Sequence, residues 1–164
     1  MRIELSACLA LLLTQTACVK PTPVNIFRMG DRVQVGPLIY NVFEANWRTQ
    51  IEDRRPSHRF LIVHLSVTNS GAEQLSAPGL NLVDDAGHLY SESMDGQGVP
   101  SWWGITRKLK PADTLEGNIL FDVDAKSYKL KLDDGSGSGP IAMVEMPLRF
   151  GLEERAMPGA LDRP

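Results

Sequence analysis

The sequence predicts an all-β protein, a single two-sheet antiparallel β-sandwich of about seven to nine short strands. Along several segments apolar and polar residues alternate with a period of two, as in a strand that buries one face. Clusters of glycine, proline, asparagine and aspartate separate these segments and favour turns. No segment after residue 24 sustains the period of an amphipathic helix. Many short strands with one polar face favour a sandwich, and a closed barrel is the main competitor.

The clearest strand runs from Arg59 to Asn69 and ends at a turn signal, Asn69-Ser70-Gly71. Its odd-numbered residues between Leu61 and Val67 are all aliphatic, whereas His64 and Ser66 fall on the other face. The same kind of alternation predicts further strands along the chain. They are Arg32–Val35, Leu38–Trp47, Asn81–Val83, His88–Tyr90, Thr114–Asp124, Tyr128–Asp133 and Ile141–Phe150.

The first 17 residues predict a lipoprotein signal peptide. Arg2 precedes an apolar run, Leu5–Leu13, that is too short to span a bilayer. The segment ends in Ala17-Cys18, which resembles the cleavage site of bacterial lipoproteins, where the cysteine thiol is acylated. Gln15 departs from the aliphatic residue usual at that site, so a plain secreted or uncleaved form is the alternative. We expect Cys18 to carry an acyl chain such as palmitate and to attach the protein to the membrane.

This organisation predicts four consecutive segments. They are a signal peptide over 1–17, an acylated cysteine and tether over 18–23, a sandwich over 24–150 and a loose tail over 151–164. The two prolines of the tether favour an extended backbone, and the tail lacks an apolar period. A body of this size buries roughly two-thirds of its unfolded surface, enough for a core without disulfides.

Charge and cysteine content exclude several classes of function. The chain has 17 basic and 20 acidic residues, a net charge of −3, which gives no support for nucleic-acid binding because that requires a basic stripe. Cleavage before Cys18 would also remove Cys8, the other cysteine of the chain. The body would then contain no thiol for a disulfide, a metal site or nucleophilic catalysis.

Four sequence blocks, in their order and spacing, resemble one known family. They are Met29–Asp31 with Val33–Gly36, Phe60–Asn69, Leu82–Gly87 with Tyr90, and Leu109–Asp113 with Gly117–Val123. Together they resemble a secreted bacterial domain family of unknown function that shares an immunoglobulin-like sandwich with a mycobacterial immunoprotective extracellular protein. The resemblance implies that fold, a frequent lipoprotein signal or membrane anchor, and no agreed catalytic residues. Gln50–Pro56 and Ser91–Trp103 depart from the family pattern.

Candidate metal ligands are few. The three histidines are His58, His64 and His88, and no two have the spacing that would bring their rings together as ligands. Asp84–Gly87 could offer oxygens to calcium, but a turn requires the same residues. Met143 and Met146 could bind monovalent copper, but on a strand they point to opposite faces. We therefore predict no metal site and no cofactor.

The sequence also predicts no catalytic residues, and so no enzyme. Gly135–Gly139 imitates the Gly-x-Ser-x-Gly string of a hydrolase elbow, but no helix follows it and no base lies nearby. A flexible hairpin loop explains it better. Glu116 and Asp122 share one strand face, as expected for a solvated outer surface.

The adjacent residues Trp102 and Trp103 lie in a glycine-rich segment that could contact a partner. Neighbouring side chains on an extended chain point apart, so both indoles cannot easily be buried together. One would cap the sandwich, and the other would present a flat ring to a partner, a glycan or the membrane interface. Arg107 lies just beyond and could add a polar contact.

Two function classes follow. The favoured hypothesis is a non-catalytic lipoprotein of the bacterial cell envelope, anchored through Cys18 and facing the extracytoplasmic side, which binds an envelope protein or polymer. In a cell with two membranes, Val19 permits placement in the outer membrane, facing the periplasm. The alternative is an extracytoplasmic carrier of a small ligand or metal. A hydrolytic enzyme ranks third because no nucleophile-base pair is evident.

Overall fold

The computed structural model describes residues 24–148 and contains eleven strands and no helix in that range. None of it therefore forms a helix that could cross a membrane. The predicted signal peptide, Cys18, the tether and the tail lie outside the described residues. The strands are β1 (Asn25–Phe27), β2 (Arg32–Val35), β3 (Leu38–Arg48), β4 (Arg59–Asn69), β5 (Leu75–Ser76), β6 (Asn81–Val83), β7 (Leu89–Ser91), β8 (Lys108–Leu109), β9 (Thr114–Val123), β10 (Tyr128–Asp133) and β11 (Ile141–Met146).

These strands form two main sheets that enclose one core, which confirms the predicted all-β sandwich. The five-stranded sheet has the order β1-β11-β10-β6-β7, and the four-stranded sheet has the order β2-β3-β4-β9. The strands β5 and β8 form a separate two-stranded ribbon. All pairings are antiparallel except that of β1 with β11, which is parallel, so the five-stranded sheet is mixed rather than purely antiparallel.

The core consists of aliphatic and aromatic side chains from the inner faces of both sheets. Strand β4 supplies its centre, because it pairs along its length with β3 on one side and β9 on the other. Its largest fully buried side chains are Tyr40, Phe121, Leu38, Leu61, Leu65, Leu80, Leu82, Ile119, Leu130, Leu132 and Val33.

A β-bulge in β3 reverses which residues of that strand face the core. Val42 pairs with Leu65 and Glu44 with His64, so Phe43 is the extra residue. A bulge shifts the alternation of side chains by one position. Leu38, Tyr40 and Val42 therefore face inward before the bulge, while Trp47 faces inward after it, opposite Leu61. Glu44 and the residues that alternate with it lie on the outer face.

The structure has more strands than the seven to nine predicted. The additional strands β1, β5 and β8 have only two or three residues each. Strands this short carry no measurable alternation and exist because a neighbour pairs with them. The predicted strand His88–Tyr90 is shifted by one residue, and Ile141–Phe150 is shorter, since β11 ends at Met146.

Candidate functional site

The segment Glu92–Gly104, here called the 92–104 loop, runs along the free edge of β9. The amide of Ser93 donates to the carbonyl of Leu120 at 2.6 Å, and the amide of Trp103 donates to the carbonyl of Asn118 at 3.0 Å. The amide of Asn118 in turn donates to the carbonyl of Ser101 at 2.9 Å. An exposed strand edge invites pairing with another chain. The loop covers this part of the β9 edge with the protein's own backbone.

Gly117 makes this close approach possible. A Cβ atom at that position would collide with the carbonyl oxygen of Ser101 and contact the ring of Trp103. Glycine lets two backbones approach where any other residue would hold them apart. Gly117 thus permits the backbone hydrogen bonds between the loop and the strand.

The two adjacent tryptophans point apart, as expected, but both are covered. Trp103 is 5% exposed and belongs to the main core. Trp102 turns to the outer face of the four-stranded sheet and packs against a second apolar cluster there. Gly96 lies flat against its indole, with no room for a Cβ. This second cluster, which sequence reasoning did not anticipate, consists of Ile51, Phe60, Val99 and Leu120, with Ile62 and Trp102 packed on it.

Arg107 is enclosed, which corrects the expectation that it contacts a partner. Its side chain is 3% exposed, and its Nη2 atom lies 2.7 Å from Oε2 of Glu92. Its other nitrogens donate to the carbonyls of Gly104 and Pro78, at 2.8 and 3.0 Å, and the guanidinium lies over the ring of Trp103. A buried charge requires such partners, because an unpaired one is costly to desolvate. Arg107 fixes the end of the 92–104 loop.

Arg54 joins the 92–104 loop to the other segment that departs from the family pattern, Gln50–Pro56. Its Nη1 atom donates to the carbonyl of Gln97 at 2.6 Å, and its Nη2 atom lies 3.3 Å from the carboxylate of Asp95. The guanidinium also lies over the ring of Phe60, 5.6 Å from its centre. The two segments therefore hold each other in place on the outer face.

Between these segments and the sheet lies a cleft of about 410 Å³, here called the outer cleft. Its floor is formed by side chains of β3, β4 and β9, and its rim by the two interlocked segments. The lining residues are Glu44, Asn46, Arg48, Gln50, Ile51, Ile62, His64, Gly98, Pro100 and Asn118. Small-molecule sites occupy roughly 300–1,000 Å³ and combine apolar lining with a few directed polar groups. The outer cleft falls within this volume range, and six of its ten lining residues are polar.

His64 stands in the floor of the outer cleft with both ring nitrogens near acceptors. The amide nitrogen of Asn118 donates to the carbonyl of Pro100 at 2.7 Å, which turns the amide oxygen towards Nδ1 of His64, 3.2 Å away. The Nε2 atom lies 3.4 Å from the carboxylate of Glu116. The ring of Phe43, the residue inserted at the bulge, lies 5.3 Å from that of His64. One chain of contacts thus connects the loop, the floor and the bulge.

The ten lining residues of the outer cleft include one carboxylate and one imidazole, from Glu44 and His64. None of the ten is serine, threonine, cysteine or lysine. Within residues 24–148 no group of three or more histidine, cysteine, aspartate or glutamate side chains is placed to hold a metal ion.

The other two histidines occupy turns rather than the cleft. His58 is half exposed, and its backbone amide donates to the carboxylate of Asp122 at 2.9 Å. His88 lies beside Asp84, whose Oδ1 accepts the amides of Ala86 and His88. Asp84 is thus fully occupied in closing its turn, in the manner of an aspartate that bonds its own following backbone.

Asp84 is also the centre of a polar cluster on the five-stranded sheet that sequence reasoning missed. Its Oδ2 accepts hydrogen bonds from Lys126, Tyr90 and His88 at 3.0 to 3.1 Å. The hydrogen bond from the Lys126 ammonium holds the pKa of Asp84 below its usual range, and the same contact raises the pKa of Lys126. Burial raises the pKa of Tyr128, over whose ring the ammonium lies, to about 12. This cluster has no unoccupied acceptor on Asp84 and is structural.

A β-sandwich with a polar cleft on one outer face, built by two loops, is the class of protein that these observations define. The chain belongs to the family described as "Domain of unknown function (DUF4352)", which matches residues 27–140. This confirms the resemblance stated from the sequence blocks. No curated protein sequence matches the chain.

Solved structures with this fold include bacterial proteins from several genera. The yjhA protein of Bacillus subtilis is 15% identical, with a TM-score of 0.54, over 73% of this chain and 98% of that one. The secreted protein MPT63 of Mycobacterium tuberculosis is 13% identical, with a TM-score of 0.54, over 78% of this chain and 99% of that one. The Bacillus subtilis protein ycdA, described as a "putative lipoprotein", is 14% identical, with a TM-score of 0.57, over 74% of this chain but only 39% of its own. At these identities the likeness shows the fold.

Proposed function

We propose that this chain is a lipid-anchored domain on the extracytoplasmic side of the bacterial envelope that binds an envelope protein or polymer without catalysing a reaction. The acyl chain on Cys18 is its anchor, and the outer cleft is its binding surface. Where the cell has two membranes, the outer membrane, on its periplasmic side, is the proposed location. A secreted protein and a described lipoprotein among the similar structures agree with this placement.

The observation that carries the proposal is the construction of the outer cleft. Two segments outside the sheets are locked to each other by Arg54 and to β9 by backbone hydrogen bonds. Together they enclose a polar part of a sheet face that would otherwise be flat. A preformed cleft loses little entropy when a ligand binds, because its walls are already ordered.

We infer that the outer cleft lies towards the end of the domain that is farther from the anchor. Strand β1 begins with Asn25 paired to Ala142, and Ala142 also pairs with Leu132. The hydroxyl of Tyr40 donates to the carbonyl of Asp133, so the start of β3 lies at that same end. From Leu38 to Arg48 the strand extends about 30 Å, and the cleft residues occupy its second half. A six-residue tether reaches at most about 20 Å, so in this proposal the start of β1 stays near the membrane and the cleft lies farther from it.

The anchor is tested by metabolic labelling with an alkyne fatty acid in a bacterium that processes lipoproteins. We expect label in the wild-type protein and in Cys8→Ala, and none in Cys18→Ala. Cys8→Ala is the matched control because it removes the other cysteine of the chain. Equal labelling of all three proteins would contradict the proposed site.

Binding is tested by placing a photo-crosslinking residue at Gln50 on the cleft rim of the full-length protein in living cells. The control is the same residue at Gln74, an exposed glutamine between β4 and β5. We expect an adduct of increased mass from position 50 only, because the proposed ligand occupies the cleft. Adducts of equal yield from both positions, or from neither, would remove the outer cleft as the binding surface.

A carrier of a small organic ligand is the second candidate, favoured by the volume of the outer cleft. Native mass spectrometry of protein purified from its own host distinguishes the two. A carrier retains a ligand of a few hundred daltons, whereas a domain that binds a polymer or protein is isolated at its own mass.

A further inference from the structure

We infer that the outer cleft binds a neutral saccharide, with room for about two sugar rings, an inference that rests on the proposed binding function. The cavity of about 410 Å³ is at the small end of the range for ligand sites. Its shape, between a sheet and two loops, is open along one side, which suits a segment of a longer chain. The chemistry of the lining selects the class of ligand.

The six polar side chains of the lining all end in planar groups. Glu44 has a carboxylate, Arg48 a guanidinium and His64 an imidazole, while the remaining three are the primary amides of Asn46, Gln50 and Asn118. Carboxylate, amide and guanidinium groups each carry two hydrogen-bonding atoms side by side in a fixed plane. Within the protein, both amide atoms of Asn118 are already paired, with Pro100 and His64, and the amide nitrogen of Asn46 is paired with Glu44. Neighbouring hydroxyls on a sugar ring present the same spacing and act as donors and acceptors at once. A lining of this kind matches a ligand rich in paired hydroxyls.

The charges at the cleft disfavour an anionic ligand. Glu44 and Arg48 contribute one charge of each sign from the same strand, and Glu44 accepts a hydrogen bond from the amide of Asn46 at 2.9 Å. The carboxylate of Glu116 faces His64 just outside the lining. An anionic polymer would meet these two carboxylates against one guanidinium. Like-charge juxtaposition of this kind discriminates against wrong partners, so among saccharides the cleft favours a neutral chain over an acidic one.

The apolar part of the cleft complements the C–H face of a sugar ring. Ile51, Ile62 and Pro100 form a low, nonpolar strip between the polar groups. Phe43, which is 46% exposed, lies outside this lining, and its ring packs at 5.3 Å beside that of His64. The strip gives the cleft an apolar part beside the hydrogen-bonding groups.

A peptide is the competing ligand. The edge of the sheet beside the cleft argues against it, because that edge is already occupied. Peptides bind β-proteins chiefly by adding a strand to an exposed edge. The edge of β9 beside the cleft is occupied by the 92–104 loop through the amides of Ser93 and Trp103. A peptide in the outer cleft would have to bind through side chains alone.

The experiment is saturation-transfer difference NMR on the full-length protein in lipid nanodiscs. The probes are N,N′-diacetylchitobiose as the saccharide and trialanine as the peptide, with empty nanodiscs as the blank. The variants are Gln50→Ala and Asn46→Ala/Gln50→Ala in the cleft, with Gln74→Ala as the matched control. Gln50→Ala changes only an exposed rim residue, so it keeps the test valid if the double variant fails to fold.

We expect saturation transfer to the ring protons of chitobiose, with affinity lowered about tenfold in the double variant, lowered less in Gln50→Ala and unchanged in Gln74→Ala. Transfer to trialanine alone, lost in Gln50→Ala, would overturn the saccharide inference and leave the binding function in place. Transfer to chitobiose that survives every cleft variant would overturn the assignment to this cleft. No transfer to either probe would overturn the saccharide inference, and the crosslinking experiment at Gln50 would then decide the binding function independently.

Discussion

The guanidinium of Arg107 lies 2.7 Å from the carboxylate of Glu92, and both side chains are less than a tenth exposed. Two further donations from Arg107, and one from the amide of Leu80 to Glu92, satisfy the remaining polar atoms of the pair. The pair connects the two ends of the 92–104 loop. This ion pair therefore holds in place the segment that forms one wall of the outer cleft.

Replacing Arg107 with methionine is expected to lower the free energy of unfolding by about 3–5 kcal/mol, because Glu92 is left buried and unpaired. Urea unfolding followed by circular dichroism measures the loss. The exposed neighbour Lys108→Met serves as the control and should change stability by less than about 0.5 kcal/mol. The double variant Arg107→Met/Glu92→Leu should recover part of the loss. A single variant as stable as the control would contradict the structural role of the pair.

The Asp84 cluster predicts a loss of stability in acid. The folded protein holds the pKa of Asp84 below its usual value through the hydrogen bond from Lys126. A carboxyl group whose pKa is lower in the folded than in the unfolded protein stabilises the fold at pH values above its unfolded pKa of about 4. That contribution disappears as the pH falls below this value. The urea midpoint should therefore decrease from pH 5 towards pH 2, and less steeply in Asp84→Asn. Asp85→Asn is the matched control, because its side chain is 87% exposed. Parallel curves for wild type and Asp84→Asn would contradict the prediction.

Gly96 offers a probe of the covered position of Trp102. A methyl group at residue 96 would collide with the indole, so Gly96→Ala should displace the ring, shift tryptophan emission to longer wavelength and cost about 1–3 kcal/mol. Gly137→Ala is the control, since the added methyl meets open space. Its positive φ of 76° still costs about 1 kcal/mol of backbone strain. Emission that shifts equally in both variants would show that Trp102 is not packed as described.

The sequence predicted the strands that have a long apolar–polar alternation of their own. Strand β4 was predicted with its observed bounds because its alternation is long and its turn signal is clear. The bulge at Phe43 was not predicted. Within Leu38–Trp47 the inward-facing residues keep a period of two only on each side of Phe43, and a single sequence does not show where such a break falls. Strands β5 and β8 depend on each other, and neither has a pattern of its own.

The candidate site was less predictable because distant residues build it. Arg107 was expected at the surface, as is usual for arginine, and it is buried because Glu92, 15 residues earlier, returns beside it. The outer cleft depends on the contact of Arg54 with Gln97, 43 residues away. Nothing in the composition of either segment indicates that pairing. The polar face of β4, including His64, and the two segments that depart from the family pattern were visible in the sequence, but the contact between those segments was not.

The position of Asn118 predicts the tautomer of His64. Its amide nitrogen donates to Pro100, so its oxygen faces Nδ1 of His64 at 3.2 Å, closer than the Glu116 carboxylate that faces Nε2 at 3.4 Å. We expect the neutral ring to carry its hydrogen on Nδ1, the form that is less populated in free histidine. Long-range ¹H–¹⁵N correlation NMR in mildly alkaline buffer measures this, because protonated and unprotonated ring nitrogens differ widely in chemical shift. Asn118→Leu should return His64 to the Nε2-protonated form, in which that nitrogen faces the carboxylate of Glu116. A hydrogen on Nε2 of His64 in the wild-type protein would show that Asn118 does not link the loop to the cleft floor.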